Sequence, residues 1–500
     1  MRQLAVTRTS HRFGPDARRV IAKPHLPGEE LYTPDGKSRV KVVLERNFQL
    51  VAHHLEDGEG VPRSTAGSPP PPTPPFRRER LTDGSGGLGP NARSLSEDRR
   101  LLIGAYFTHE YSIEAAALFN PSLVPAPDQS GLAGPPGNQQ RFIMSVRAVG
   151  EGHVSSIGFR TGVIDERCNL TFDQVSNYAI TGRRKKPLYE KHLFGSKLAE
   201  LGANNEITAL VLDPLPERFT FDELERSLAA VDEKRVFAHA MAFETVKIIH
   251  LLASSNYLVE YPRDSPVSER VIFPAGPRET QGMEDARFVR FAHDDGSVVY
   301  YATYTAFDGL GVLPQLIETA DFVSFRVGTL NGAYARNKGM ALFPRRLDGK
   351  YVMLARSDSE NTYLMRSDHV RFWNETQLLQ EPKRPWELIQ IGNCGSPIET
   401  EAGWLVLTHG VGPMRRYAIG AMLLDVEDPA RVIAHLPEPL MVPEADEREG
   451  YVPNVLYSCG SMLHRDQLVV PYGFSDCGIK IALVRLPDLL DLLLEHRCDG

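Results

Sequence analysis

The sequence is poor in cysteine, in long apolar runs and in surplus positive charge, and each shortage excludes a class of protein. Five cysteines in 500 residues, without a CxxC pair, argue against a disulfide framework and a zinc site. No run of about 18 apolar residues occurs, and the first residues lack the apolar core of a secretory signal, so we expect a cytoplasmic protein. The 56 Lys and Arg against 64 Asp and Glu give a net charge of −8, which argues against nucleic-acid binding.

The first 110 residues differ in composition from the rest of the chain. Apolar residues recur every three or four positions over residues 39–55, which predicts an amphipathic helix. A Pro- and Gly-rich stretch follows at about residues 61–94, and such a stretch cannot bury enough apolar surface to order itself. We therefore predict a mostly helical N-terminal extension, residues 1–110, that contains this linker.

From residue 111 onward, the sequence repeats one β-strand design five times. Each unit begins with Pro or a small residue and continues with a turn and an apolar strand that ends near a polar residue. Four of these polar ends, at intervals of 52, 53 and 63 residues, are Tyr304, Arg356, His409 and Tyr472. Strand-rich units repeating at about 40–50 residues or slightly more are typical of β-propeller blades. We predict an all-β fold, a five-bladed β-propeller over residues 111–492.

The repeat is interrupted between about residues 165 and 255. The period-two alternation of strands is lost there. Residues 219–228 and 237–252 instead have helical patterns, and the first begins with a helix start signal at Thr220. We predict a helical insertion in the propeller.

An acidic pair, Glu284 and Asp285, lies next to Arg287 just before the strand of the second unit. Cleavage of a glycosidic bond requires a carboxylic acid that protonates the departing oxygen, so Asp285 is a candidate general acid. The alternative is that the three residues form an ion-paired turn at the start of a blade. Residue type alone leaves both interpretations open.

The segment Gly282-Met-Glu-Asp-Ala-Arg287 resembles the G-x-E-D-P-R motif of glycoside hydrolase family 130, which contains inverting β-mannoside phosphorylases and β-mannosidases. Ala286 stands where the family has proline. Further segments resemble the family in order over roughly residues 115–490; they are 119–121, Arg147, 155–157, 337–338, 342–344, 403–404, 409–411, 419–429, 449–455 and 472–476.

The resemblance implies a role for each matching residue. It implies that Asp285 is the general acid and acts through a sugar hydroxyl instead of directly on the glycosidic oxygen. The residues that it assigns to the sugar in the −1 subsite are Asn120, Arg147, Ser155, Glu284, Arg287 and Asp476. Those that it assigns to phosphate are Lys338, Arg356 and His409. Gln390 and Ala355 stand where many phosphorylases have basic residues.

The charged residues around the nucleophile determine whether the reaction is phosphorolysis or hydrolysis. A phosphate nucleophile needs cations and hydrogen-bond donors, whereas water needs a second carboxylate as base. We expect inverting phosphorolysis of a β-mannoside oligosaccharide, with inorganic phosphate as co-substrate, α-mannose 1-phosphate as product, and no metal or other cofactor. The alternatives are an inverting β-mannosidase, with Glu447 or Glu449 as base, and a non-catalytic sugar-binding propeller. We expect no nucleic-acid or membrane partner, and we allow for a homo-oligomer.

Overall fold

The structure is a computed structural model of the chain, and it describes residues 4–25, 39, 42, 43, 104–132, 135, 137–232 and 240–498. The predicted linker, and most of the helix predicted over residues 39–55, lie outside this part. Contacts divide the chain into two units, Val20–Ser112 and a larger unit made of Met1–Arg19 and Ile113–Gly500. None of the helices in the described part combines the length and the apolar character that a membrane span requires.

The chain begins with strands, where the sequence suggested mostly helices for residues 1–110. β1 (Val6–Phe13) is antiparallel to the strand Gly478–Arg485 at the other end of the larger unit. In the smaller unit, β2 (Val20–Pro24) pairs with β3 (Thr108–Ser112). The sequence did not reveal β1 because strand formation depends on the partner, which here lies at the far end of the sequence.

The first sheet of the larger unit is an antiparallel meander. Its strands, in order, are β4 (Ala117–Pro125), β5 (Gln140–Val149), β6 (Ser155–Ile164) and β7 (Leu170–Phe172). The first strand, β4, is buried along almost its whole length. Polar side chains on β4 are therefore placed inside the molecule.

Helices dominate the chain between the first and second meanders. The elements there are β8 (Arg183–Lys185), β9 (Tyr189–Glu190), α1 (Lys191–Glu200), α2 (Glu206–Leu212), β10 (Arg218–Phe219), α3 (Phe221–Asp232) and α4 (Ala240–Ser254). The helices pack around an apolar core of their own that includes Phe194, Leu198, Phe219 and Ile249.

The second meander extends the sheet of the first. Its strands are β11 (Tyr257–Glu260), β13 (Gly282–Ala292), β14 (Val298–Phe307), β15 (Val312–Thr319) and β16 (Ser324–Thr329), and the short strand β12 (Val271–Ile272) pairs with β6 of the first meander. The strand order is β13-β14-β15-β16-β11-β8, and a single parallel bridge between Gly282 and Ser155 joins β13 to β6. This bridge brings the starts of β13 and β6 together.

Three further antiparallel sheets complete the part of the chain that the structure describes. The third sheet contains β17 (Lys338–Leu342), β18 (Tyr351–Arg356), β19 (Thr362–Ser367) and β20 (Glu375–Gln380). The fourth contains β21 (Gln390–Asn393), β22 (Ile398–Thr400), β23 (Gly403–Val411), β24 (Tyr417–Leu424) and β25 (Val432–His435). The fifth contains β26 (Leu456–Tyr457), β27 (Met462–His464), β28 (Gln467–Phe474) and β29 (Gly478–Arg485), with β1 as an outer strand. The chain continues into α5 (Leu486–Glu495).

The prediction of an all-β fold is confirmed as mostly β structure. Apolar side chains fill the space between neighbouring sheets. Phe159 of the first sheet, for example, packs against Phe288, Phe322 and Phe325 of the second. The last helix packs Leu489 and the leucines around it against the fourth and fifth sheets.

One backbone irregularity recurs in the first strands of three sheets, β4, β13 and β17. The pairing register of each shifts by a bulge, and the shifts follow Phe119, Glu284 and Lys338. The residues with positive φ at these shifts are Asn120 (47°), Asp285 (57°) and Gly339 (85°). A bulge re-aims side chains, and a left-handed residue other than glycine persists only where its surroundings impose it. The three bulges therefore set the direction of side chains at the candidate site.

Candidate active site

Asp285 lies in the bulge of β13, beside two residues of the first sheet. Its Oδ1 accepts a hydrogen bond from Asn120 Nδ2 at 2.7 Å and pairs with Arg147 Nη1 at 3.3 Å. Gly282 allows β13 to come close to Ser155 of the first sheet, since its φ is +125° and a Cβ there would lie 2.3 Å from Ser155 Oγ. The structure thus brings the predicted acid together with three of the residues predicted to bind the sugar.

The charges around Asp285 favour its ionised form. Burial raises the pKa of Asp285, but Arg147, the hydrogen bond from Asn120, and the cations Lys338 and Arg287 lower it by more. The pKa of Asp285 therefore lies below its ordinary value. Offsetting part of that positive charge would favour protonation of Asp285.

Glu284 connects the residues assigned to the sugar with those assigned to phosphate. Its Oε1 accepts a hydrogen bond from Arg147 Nη2 at 2.7 Å, and its Oε2 accepts one from Lys338 Nζ at 2.6 Å. Such charge-assisted hydrogen bonds fix the direction of both cations. Asp285 and Lys338 also line one cleft, together with Thr303 and Tyr304.

Arg287 joins three sheets beneath the site. Its Nη1 donates to the carbonyl oxygen of Asn393 at 2.8 Å, and its Nη2 donates to the hydroxyl of Tyr457 at 2.5 Å. Neither partner was predicted from the sequence. The repeat is visible in the second strand of each unit, whereas Asn393 and Tyr457 end the first strands of the fourth and fifth sheets.

Two of the residues assigned to phosphate meet across the third and fourth sheets. Arg356 Nη1 lies 3.1 Å from His409 Nε2, and Lys338 pairs with Arg356 in the register of β17 and β18. Burial, followed by the charges of Arg356 and Arg287, lowers the pKa of His409 well below its ordinary value. His409 is therefore neutral near pH 7, so it accepts a hydrogen bond from Arg356 and orients it instead of supplying charge.

Asp476 lies in the hairpin between β28 and β29, within electrostatic reach of the same residues. Burial and the charge of Asp285 raise the pKa of Asp476 to about 6, against the opposing charges of Arg147 and Arg415. Two carboxyl groups whose pKa values are pushed in opposite directions therefore share the site. Such separation is typical of sites that handle protons.

Several buried polar atoms at the site have no hydrogen-bond partner among the described residues. They are Asn120 Oδ1, Arg147 Nε, Ser155 Oγ, Arg356 Nε and Asn393 Oδ1. Buried polar groups are usually paired, so a concentration of unpaired donors and acceptors indicates a surface for a polar ligand. A sugar, rich in hydroxyl groups, and a phosphate both fit this set.

Comparison with known proteins decides the family. A model of glycoside hydrolase family 130, described as beta-1,4-mannooligosaccharide phosphorylase, matches residues 242–495. The 1,2-beta-oligomannan phosphorylase of Thermoanaerobacter sp. (strain X514) is 35% identical over 216 residues, which cover 42% of this chain and 71% of the relative. The chain belongs to glycoside hydrolase family 130.

Other members of family 130 are similar over comparable lengths. A beta-1,2-mannobiose phosphorylase of the same Thermoanaerobacter strain is 33% identical over 212 residues, 42% of this chain and 68% of that protein. The structure of the Listeria innocua beta-1,2-mannobiose phosphorylase in complex with beta-1,2-mannobiose has 20% sequence identity and a TM-score of 0.44. The match covers 77% of this chain and 93% of the Listeria chain.

Glu447, one of the two candidate bases for hydrolysis, has a structural role in this family 130 chain. It is fully buried, and its Oε1 lies 2.7 Å from the Tyr472 hydroxyl, 3.1 Å from Lys480 Nζ and 3.2 Å from Arg8 Nε. These contacts exclude it as a free base for water. Glu449, the other candidate base, is exposed.

Two of the polar strand ends that revealed the repeat donate their hydroxyl groups to carboxylates outside the charged network of the site. Tyr472 donates its hydroxyl to Glu447, and Tyr304 donates its hydroxyl to Glu279 at 2.5 Å. The other two of the four polar strand ends, Arg356 and His409, contact each other at the candidate phosphate group.

Proposed function

We propose that this protein is an inverting β-mannoside phosphorylase. Phosphate oxygen attacks the anomeric carbon of the terminal mannose, the bond to the glycosidic oxygen breaks, and the products are α-mannose 1-phosphate and a shortened acceptor. The observation that carries the proposal is the placement of Asp285 beside an ordered set of cations in a family 130 chain. Glu284, next to that acid in the chain, pairs with both Lys338 and Arg147.

Asp285 is the proposed general acid, and the proton passes through a sugar hydroxyl to the departing oxygen. The nearby cations hold the pKa of Asp285 low in the absence of substrate. A phosphate anion beside Lys338 offsets part of this charge, which raises the pKa of Asp285. The acid thus gains its proton when the nucleophile is present.

The phosphate is proposed to bind at Lys338 and Arg356, with His409 as a positioning residue. Guanidinium and ammonium donors suit a phosphate because charge-assisted hydrogen bonds to phosphate oxygens are strong. His409 is neutral and fixes the direction of Arg356 through the 3.1 Å contact. No general base is needed, since phosphate is already nucleophilic.

The sugar is proposed to bind between the first, second and fifth sheets. The residues proposed for this −1 subsite are Asn120, Arg147, Ser155, Glu284, Arg287 and Asp476. The unpaired atoms Asn120 Oδ1, Arg147 Nε and Ser155 Oγ support the proposal, because they offer acceptors and donors to sugar hydroxyls.

We further propose that residues 111–492 form a five-bladed β-propeller with a helical insertion at about residues 165–255, after an N-terminal extension at residues 1–110. Five successive meanders support this, and β1, although it lies within the extension, pairs with β29 and would complete the last blade. Closure of a ring by such pairing removes exposed strand edges. A cytoplasmic location and a homo-oligomeric state stay predictions.

The proposal is tested by incubating the protein with β-1,2- and β-1,4-mannobiose, with and without phosphate. We expect mannose 1-phosphate and free mannose from the acceptor, and only when phosphate is present. Asp285→Asn should abolish turnover, while Asp295→Asn, on the exposed hairpin between β13 and β14, should keep it. Equal release of mannose without phosphate would identify a β-mannosidase instead.

A further inference from the structure

The cleft beside Asp285 is lined by three neighbouring residues of β14 that carry hydroxyl groups, which are Thr303, Tyr304 and Thr305. Two of these hydroxyl groups are already used inside the protein. Thr303 donates to the carbonyl oxygen of Met340, and Tyr304 donates to the carboxylate of Glu279. The hydroxyl of Thr305 has no hydrogen-bond partner among the described residues.

Thr305 is buried in the wall of this cleft. Only 5% of the residue is exposed. A hydroxyl taken out of water without a hydrogen-bond partner costs free energy, and buried polar groups are therefore usually paired. An unpaired hydroxyl in the wall of a cleft that also contains the proposed acid indicates a hydrogen bond to a bound ligand.

The side chain of Thr305 is directed toward the start of β17. Side chains alternate along a strand, so Thr303, Thr305 and Phe307 lie on one face of β14. On this face, the Thr303 hydroxyl contacts Met340, and the Phe307 ring lies 5.9 Å from Lys338 Nζ. Thr305 lies between these two contacts, so its hydroxyl faces the segment from Lys338 to Met340.

The pairing of β14 with β13 agrees with this direction. Thr305 lies directly opposite Glu284 in the register of the two strands. Residues opposite each other in an antiparallel pair project from the same face of the sheet. Glu284 Oε2 lies 2.6 Å from Lys338 Nζ, so the Thr305 hydroxyl and the Lys338 ammonium group are on the same side of the second sheet.

The start of β17 is also where the cations proposed for phosphate come together. Lys338 pairs with Arg356 in the register of β17 and β18. A Cβ at Gly339, which also lines the cleft, would lie 4.0 Å from Arg356 Nε, and this Nε has no hydrogen-bond partner in the described part of the chain. Hydrogen bonds to an anion such as phosphate are stronger than those between neutral groups.

We propose that Thr305 is a further phosphate-binding residue, and that its hydroxyl donates to an oxygen of the inorganic phosphate beside Lys338. This inference rests on the proposed function, because it takes phosphate as the nucleophile. The direction of the side chain toward Lys338 favours phosphate over the sugar, whose proposed ligands come largely from the first and fifth sheets. A hydroxyl also binds phosphate without adding a positive charge, which would lower the pKa of Asp285 further.

The test measures binding of inorganic phosphate by calorimetry, without a mannoside, and KM for phosphate and for mannobiose. Thr305→Val replaces the hydroxyl with a methyl group of similar size, and we expect it to weaken phosphate binding about tenfold or more. KM for phosphate should rise with it, whereas KM for mannobiose should change little. Thr305→Ser keeps a hydroxyl and should restore most of the binding.

The matched control is Thr376→Val on the outer strand β20, which removes another hydroxyl that has no partner among the described residues. It should bind phosphate like the wild type. Because the Thr305 hydroxyl has no partner inside the protein, Thr305→Val should also keep the thermal stability of the wild type. A structural role for Thr305 would instead lower Tm in this variant.

Unchanged phosphate binding by Thr305→Val would overturn the inference. So would a marked fall in its Tm, a larger rise in KM for mannobiose than for phosphate, or a Thr305→Ser enzyme as weak as Thr305→Val. Binding is read without turnover, which separates the two proposals. A wild type that binds phosphate through Thr305 but does not phosphorolyse mannobiose would refute the proposed function alone.

Discussion

Replacing Arg147 with methionine tests how the charged network serves the acid. Arg147 contacts Glu284 at 2.7 Å and Asp285 at 3.3 Å, and its side chain is only 19% exposed. A hydrogen bond to a charged group contributes about 1.5–3 kcal/mol. The contact with Asp285 is long and the site is partly open. We therefore expect the variant to lose about 2–4 kcal/mol of transition-state stabilisation, which lowers kcat/KM roughly 30-fold or more.

The same substitution should move the pH profile in a defined direction. Among the groups that lower the pKa of Asp285 against the effect of burial, Arg147 contributes most. Without it, the pKa of Asp285 rises, the carboxyl group keeps its proton to higher pH, and the pH optimum of kcat/KM shifts upward.

The assay is the initial rate of mannobiose phosphorolysis at saturating phosphate, measured across pH. Arg141→Met, at the other end of β5, is the matched control and should change kcat/KM little. Thermal unfolding of both variants separates loss of folding from loss of activity. A well-folded Arg147→Met enzyme with less than a fivefold loss of kcat/KM, or with an optimum moved to lower pH, would show that Arg147 does not control the acid in this way.

Three further predictions concern stability, pH and the candidate phosphate group. Arg8→Met should lower the free energy of unfolding by about 2–4 kcal/mol, measured in urea, because it removes an ion-pair partner from buried Glu447. Since the pKa of Asp476 is raised to about 6, its ionisation destabilises the fold; the wild type should lose stability from about pH 4 to about pH 7, and Asp476→Asn should not. Gly392→Ala should raise KM for phosphate about tenfold and KM for mannobiose less, since a Cβ there would lie 2.5 Å from the His409 ring.

The sequence revealed what its local patterns encode. Alternation and the repeat predicted strands, and the mostly β structure confirms that part. The acidic pair next to Arg287 was visible as a candidate site from residue type and position. Asn120, Arg147 and Lys338 were assigned by resemblance, and the structure brings all three to Glu284 and Asp285.

What the sequence could not reveal depends on contacts between distant segments. β1 is a strand because of β29, and Glu447 is buried because Arg8, Tyr472 and Lys480 compensate its charge. Tyr457 lies on a strand of two residues, too short for any periodicity, and only folding brings it to Arg287. The bulges that aim Asn120 and Asp285 likewise have no local sequence pattern that predicts them.

The anomeric form of the sugar phosphate is the direct test of inverting phosphorolysis with Asp285 as the acid. Mannobiose is incubated with phosphate, and the product is followed by phosphorus NMR for the wild type, Asp285→Asn and Asp295→Asn. We expect α-mannose 1-phosphate from the wild type and from Asp295→Asn, and no sugar phosphate from Asp285→Asn. A β-linked sugar phosphate, or an active Asp285→Asn enzyme, would contradict it.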